Sequence, residues 1–258
     1  MTKIQVSSGS SYLKAVLAAE SKCESDTDIW IKEAHGKRFP KALDLLGLTL
    51  EIIEQAACCY WGCENPSHDL EKLAARVYSQ ASGALRLART GRYDEALALI
   101  RSIGELVNLL ALFALEPQKR EEWQQLDDRE RRQKFTPLKV RIAIEAKKID
   151  PPIKSDEYSY LCEQAVHPTP SALPGGYNTK QIPVLGGHLQ PEGVIVVMCS
   201  LVRAIGRCAI VLSNLMELPT EQAKSLLVLG MELDVSLGGH TAESMRERIR
   251  TLAENKIN

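Results

Sequence analysis

The sequence predicts an all-α fold, a globular helical bundle with two central apolar helices and one long loop rich in proline and glycine. Three observations carry this. Apolar residues recur at helical spacing through almost every long segment, and strand-like alternation is scarce. Two segments, 93–116 and 191–217, are apolar nearly all the way round, as helices enclosed by other helices are. Residues 168–193 hold five of the twelve prolines and five of the sixteen glycines, so one long connection interrupts an otherwise helical chain.

Taken in order, residues 1–11 are polar and read as a flexible N-terminus, with 12–258 as one helical domain. A short helix is expected near 12–22. A second runs over about 41–61, where Leu45, Leu46, Leu48, Ile52, Ile53 and Ala56 supply apolar faces. Asp69 is placed as the N-cap of a helix to Arg89, its carboxylate accepting from first-turn amides. Gly91 in "TGRYDEAL" is a C-terminal stop, and Asp94 and Glu95 favour the start of the next helix. That helix continues to about Glu116, and Pro117 ends it. "GRYDEAL" is similar to the turn of a tetratricopeptide unit, but no second copy follows at a period of about 34 residues.

Residues 119–134 carry six basic and five acidic side chains, which reads as one solvated helix with i,i+4 pairs. Thr136 and Pro137 open a helix to Lys148 as N-cap and first residue. Ser155 and Asp156 cap a helix that ends at His167, where Pro168 forces the chain out of helical geometry. The 168–193 segment follows, with a small hairpin expected at Gly186-Gly187. Pro191-Glu192 opens a helix to about Glu217, Pro219-Thr220-Glu221 opens another, and Thr241 caps a last one to about Lys256.

Composition narrows the function classes. A net charge of −1 gives no global basic field for nucleic acid or anionic membrane. Aromatic residues at 5% are too few for base-stacking platforms. Seven cysteines and no apolar leader in "MTKIQVSSGSS" favour reduced thiols and a cytoplasmic location. The apolar run 194–202 is short, and Arg203 and Arg207 interrupt its continuation, so no membrane span is expected. There is no P-loop, G-x-S-x-G, H-E-x-x-H or dinucleotide glycine fingerprint.

Candidate site residues come from polar stripes on the apolar helices. Asp94, Arg101, Glu105 and Asn108 fall within about 60° of one another at 100° per residue. A stripe on a central helix needs partners, because an unpaired buried charge is costly. An Arg101–Glu105 i,i+4 pair would satisfy part of it, and a polar pocket wall would use it. Ser200, Arg203, Arg207 and Asn214 repeat the pattern on 191–217. Their two guanidinium groups either neutralise Glu105 and other acids or hold a phosphate or carboxylate. His167 is either a C-capping histidine or an acid/base at a cleft, with Tyr158 and Tyr160 two turns earlier. "CCYWGCENPSH" offers Cys58, Cys59, Cys63 and His68 without a converging zinc knuckle, so the cysteines read as small core residues and no metal is expected.

"GRYDEALALIRSIGELVNLLALFALEP", followed some forty residues later by "YSYLCEQAVHPTPS", resembles a bacterial family of all-helical proteins with no assigned activity. Its members pair an R-x₃-E helix with a Tyr-rich helix ending in His-Pro or His-Ser. The resemblance covers residues 91–171 and falls on Arg101, Glu105, Tyr158 and His167. That arrangement is similar to HEPN domains, helical nucleotide-binding or ribonuclease modules of bacterial toxin and defence systems. Active HEPN members resemble R-x₄₋₆-H, whereas the arginine positions here are Tyr160, Leu161 and Cys162.

The expected function is a binding or interaction protein of a bacterial defence, stress or regulatory system. Its polar pocket takes an anionic ligand or partner through Arg101, Tyr158, Arg203 and Arg207. The alternative is a HEPN-like, metal-independent ribonuclease or nucleotide-processing enzyme, with His167 as acid/base and Glu105 positioning it. Neither reading calls for a cofactor. An anionic ligand, a nucleotide, RNA and a second copy of the chain stay open as partners.

Overall fold

The computed structural model describes residues 9–34, 36–62, 67–166 and 186–238. Among the described residues there are ten helices and no strand. The protein is an all-α bundle. The helices are α1 (Gly9–Ala34), α2 (Arg38–Ala57), α3 (Asp69–Arg89), α4 (Tyr93–Leu115), α5 (Pro117–Gln125), α6 (Asp128–Lys134), α7 (Pro137–Glu145), α8 (Ser155–Ala165), α9 (Pro191–Leu215) and α10 (Thr220–Ser236).

The two apolar helices form the centre. α4 packs against α3, α7, α8 and α9, and α9 packs against α10, α4, α3 and α2. Ile100, Ile103, Val107, Leu110 and Phe113 of α4 and Val197, Leu201, Ile205, Cys208 and Leu212 of α9 are buried together. By length and composition either helix is apolar enough to cross a membrane, so shortness is not what separates them from spanning segments. Their apolar windows are 61% and 67% buried inside the protein itself, which is how core helices of a bundle meet the same test.

α9 and α10 approach until their backbones touch. A Cβ on Gly230 would lie 2.7 Å from the Gly206 carbonyl oxygen, and one on Gly206 would lie 2.7 Å from the Gly230 oxygen. Only glycine fits at either position. Gly91, at φ +78°, ends the α3 segment as its sequence context implies. It sits against the His188 backbone, while the Tyr93 hydroxyl accepts from Gln190 N at 2.9 Å. Residues 186–190 are thereby tied to the start of α4.

Several expectations need correction. α1 is 26 residues long rather than a short helix over 12–22. Its continuation buries Cys23, Thr27 and Ile31, one narrow face at four-residue spacing. Arg89 at the end of α3 then pairs with Asp28 and Glu24, and Arg92 pairs with Glu20. The charged segment 119–134 is two helices, because the Asp127 carboxylate accepts from Glu130 N at 2.8 Å and caps a new start. The N-cap of α3 is His68, not Asp69. Asp69 instead makes a two-pronged ion pair with Arg120 at 2.7 Å, an arginine the sequence placed on the solvated face. Cys58 is exposed and Cys59 half-exposed, so neither is a core residue. Gly186 and Gly187 have positive φ as a tight turn requires, but most of the expected hairpin and the helix capped by Thr241 lie outside the described residues.

Candidate functional site

The site is built where α8 crosses α4 and α7. Tyr158 stands at its centre. Arg101 reaches up from α4: its Nη2 donates to the Tyr158 hydroxyl at 2.5 Å and its Nε donates to Cys162 Sγ at 3.0 Å. The hydroxyl in turn donates to Glu105 Oε1 at 2.7 Å, and Arg101 Nη2 lies 2.9 Å from the same oxygen. Arg101, Glu105 and Tyr158 are therefore one network, as the stripe on α4 suggested. Burial and the Glu105 carboxylate push the Tyr158 phenol above its ordinary range, so it remains a protonated donor to Glu105 near neutral pH.

A second guanidinium completes the cluster. The Arg141 side chain, from α7, lies 4.6 Å from the centroid of the Tyr158 ring, and that of Arg101 lies 5.0 Å from it. Arg141 is only 7% exposed, and its buried Nη1 has no hydrogen-bond acceptor among the described residues. No carboxylate there pairs with it. With Arg101, Arg141 and Glu105 charged, the cluster carries one uncompensated positive charge. A cation over an aromatic face gains up to about 2 kcal/mol when desolvated. That offsets only part of what a buried unpaired charge loses.

Arg203 and Arg207 lie beside the next residue of α8. Arg203 Nη1 is 3.0 Å from Glu157 Oε1, and Arg207 Nη1 is 2.6 Å from Glu157 Oε2. Arg207 also pairs with Asp234 of α10 and donates to the Pro152 carbonyl. Both arginines are committed to carboxylates of this chain, Glu157 and Asp234, rather than to Glu105. The cavity that Arg203 lines, with Ile100, Ile153 and Ser200, has a volume of about 20 Å³, room for a water molecule. Asn108, the last member of the α4 stripe, is buried and spans both backbone groups of Ile153 at 2.9 Å, which anchors the approach to α8. His167 lies outside the described residues.

A larger cavity of about 270 Å³ opens between α5, α6 and α7, rimmed by Lys119, Lys134 and Lys139. Lys119 and Lys134 are tied to Glu122, and Lys139 donates to the Gln133 carbonyl. Sequence reasoning missed Arg141, Cys162 and Glu157. Cys162 was legible in principle, since 158 and 162 share a helical face, whereas Glu157, 46 residues from Arg203 in sequence, was not.

At the N-terminal end of α3 the structure brings Cys59 and His68 together, with Sγ and Nδ1 3.3 Å apart. The Glu71 carboxylate joins them, all three ligating atoms lying within 4.8 Å of one another. No family model, curated protein or solved structure matches this chain.

Proposed function

We propose that this is a helical binding protein whose polar cluster around Tyr158 takes an anionic group, from a small ligand or from an acidic segment of a partner. The single supporting observation is Arg141: a guanidinium almost wholly buried, with an orphan Nη1 and no acid beside it, while Arg101 is 5.0 Å from the same ring. Beside this cluster Glu157 has its counter-charges within the chain, Arg203 and Arg207. An anion supplied from outside is the group that balances the cluster, and a phosphate or carboxylate suits the fork of a guanidinium. The cysteine usage supports a cytoplasmic setting, and the resemblance to helical bacterial families supports a role in bacterial defence, stress or regulation.

Calorimetric titration of the full chain with inorganic phosphate and a nucleoside monophosphate, at constant ionic strength, tests the reading. Binding that is lost in Arg141→Leu and kept in Lys134→Ala and Lys139→Ala is expected. Binding that survives Arg141→Leu assigns the anion elsewhere, and no binding of either probe removes the proposal. Incubation with single-stranded RNA separates the ribonuclease alternative, which requires cleavage that His167→Ala abolishes.

A further inference from the structure

The connection between α2 and α3 brings a thiol, an imidazole and a carboxylate to one point. Cys59 follows the end of α2, His68 caps α3, and Glu71 sits in the first turn of α3. All three ligating atoms lie within 4.8 Å of each other, and Cys59 Sγ is 3.3 Å from His68 Nδ1. In a tetrahedral zinc site the thiolate and imidazole ligands stand about 3.6 Å apart, from bond lengths of about 2.3 and 2.0 Å. The Cys59–His68 separation is already close to that value, and the carboxylate oxygen, within 4.8 Å of both, has to move by about 1.5 Å at most.

Glu71 is the observation that points to a ligand. It is only 9% exposed, and its buried Oε2 has no hydrogen-bond partner among the described residues. Arg120 is near enough to act on Glu71 electrostatically, but its hydrogen bonds here go to the two oxygens of Asp69. A buried carboxylate oxygen without a donor is destabilising, unless a cation meets it. Among the described residues, hydrogen bonding does not account for a buried carboxylate set beside a thiol and an imidazole.

We propose that Cys59, His68 and Glu71 form a zinc site, these being the three protein ligands that the described residues supply beside the exposed His68. Sulfur, imidazole nitrogen and a single carboxylate are the donor set that suits Zn²⁺, and a hard cation such as Mg²⁺ or Ca²⁺ would not select the thiol. Binding releases the Cys59 thiol proton to solvent and leaves the metal's oxidation state unchanged. The metal joins the end of α2 to the start of α3. This site shares no residue with the Tyr158 cluster.

Titration of the full-length, reduced protein with Co²⁺, a spectroscopic stand-in for Zn²⁺, tests the assignment. The expected result is one equivalent bound, with thiolate-to-metal charge-transfer absorption that Zn²⁺ displaces. Cys58→Ser, on the exposed neighbour, keeps the band. Cys59→Ser and His68→Ala lose it, and Glu71→Gln weakens binding at least about tenfold, the lower range seen even for outer-shell changes. Thermal melts guard against misfolded variants. Metal-free Glu71→Gln should melt no lower than metal-free wild type, and Zn²⁺ should raise only the wild-type midpoint. Absence of the band in wild type, its persistence in Cys59→Ser or His68→Ala, or unchanged affinity in Glu71→Gln overturns the site.

Discussion

Arg141 carries a charge that nothing among the described residues balances, and Asp69 shows what balance looks like. Asp69 is buried, and burial alone would raise its pKa. The two-pronged Arg120 contact and the Ser67 hydroxyl outweigh that and hold its carboxyl well below the usual range. Removing the partner should therefore be costly: Arg120→Met is expected to lose about 3–5 kcal/mol in urea unfolding, because a buried carboxylate loses its counter-charge. The pH dependence has a definite sign. With the folded pKa depressed, the pair stabilises the protein fully above the unfolded value of about 3.9 and loses that contribution as pH falls from there toward the folded value. Acid unfolding curves of Asp69→Asn should lack this component. At the cluster, Tyr158→Phe removes the hydroxyl that joins Arg101 to Glu105 and should cost about 1–2 kcal/mol with helicity unchanged. The Arg101–Glu105 pair was readable from its i,i+4 spacing on an apolar helix. Arg141 was not, because "PLKVRIAIE" is short and amphipathic, and a lone arginine there has the pattern of a solvent-facing charge. Burial of that face depends on where α8 crosses, which no local pattern encodes.

At the scale of elements, helix boundaries followed residue chemistry that the sequence displays. Pro117, Pro137 and Pro191 each stand at the first helical position, as proline without an N–H donor can. Where sequence reading failed, the deciding group was a cap or a tertiary partner. Asp127 split the charged segment into α5 and α6. The narrow Cys23–Thr27–Ile31 face of α1 became a burying face through arginines from α3 and the turn before α4. Glycines separate local preference from packing. Gly47 lies in α2 with nothing near a Cβ, so Gly47→Ala should raise stability by about 0.5–1 kcal/mol through helix propensity. Gly230→Ala gains the same propensity but drives a methyl into the Gly206 oxygen and Ala209, so it should lower stability by about 1–3 kcal/mol. Opposite signs in chemical denaturation would confirm that α9 and α10 are joined by backbone contact. On α5 and α6, Glu121→Ala and Arg132→Ala concern exposed side chains and should each change stability by less than about 0.5 kcal/mol.

For the whole molecule, the central pair α4 and α9 was legible because both are apolar on nearly every face, and a helix of that kind must be enclosed. Their polar stripes were legible as well. What the sequence did not disclose is that α8 separates the two stripes, with Glu157 taking Arg203 and Arg207 and Tyr158 taking Arg101 and Glu105. Adjacent helical residues point about 100° apart. α8 thus meets Arg203 and Arg207 with Glu157, joined by Asp234 of α10, and sets Tyr158 between the balanced Arg101–Glu105 pair and Arg141 of α7, which leaves that cluster net positive. The central claim is that this remaining charge is kept for an anion. Thermal melts of wild type and Arg141→Leu, in chloride and in phosphate at equal ionic strength, test it most directly. At about ten times the dissociation constant, phosphate should stabilise the wild type by roughly 1.4 kcal/mol, a rise in midpoint of about 3–5 °C. Arg141→Leu should melt no lower than wild type in chloride and show no response to phosphate. A variant that melts several degrees lower in chloride while keeping the phosphate response would make Arg141 a structural residue and contradict the account.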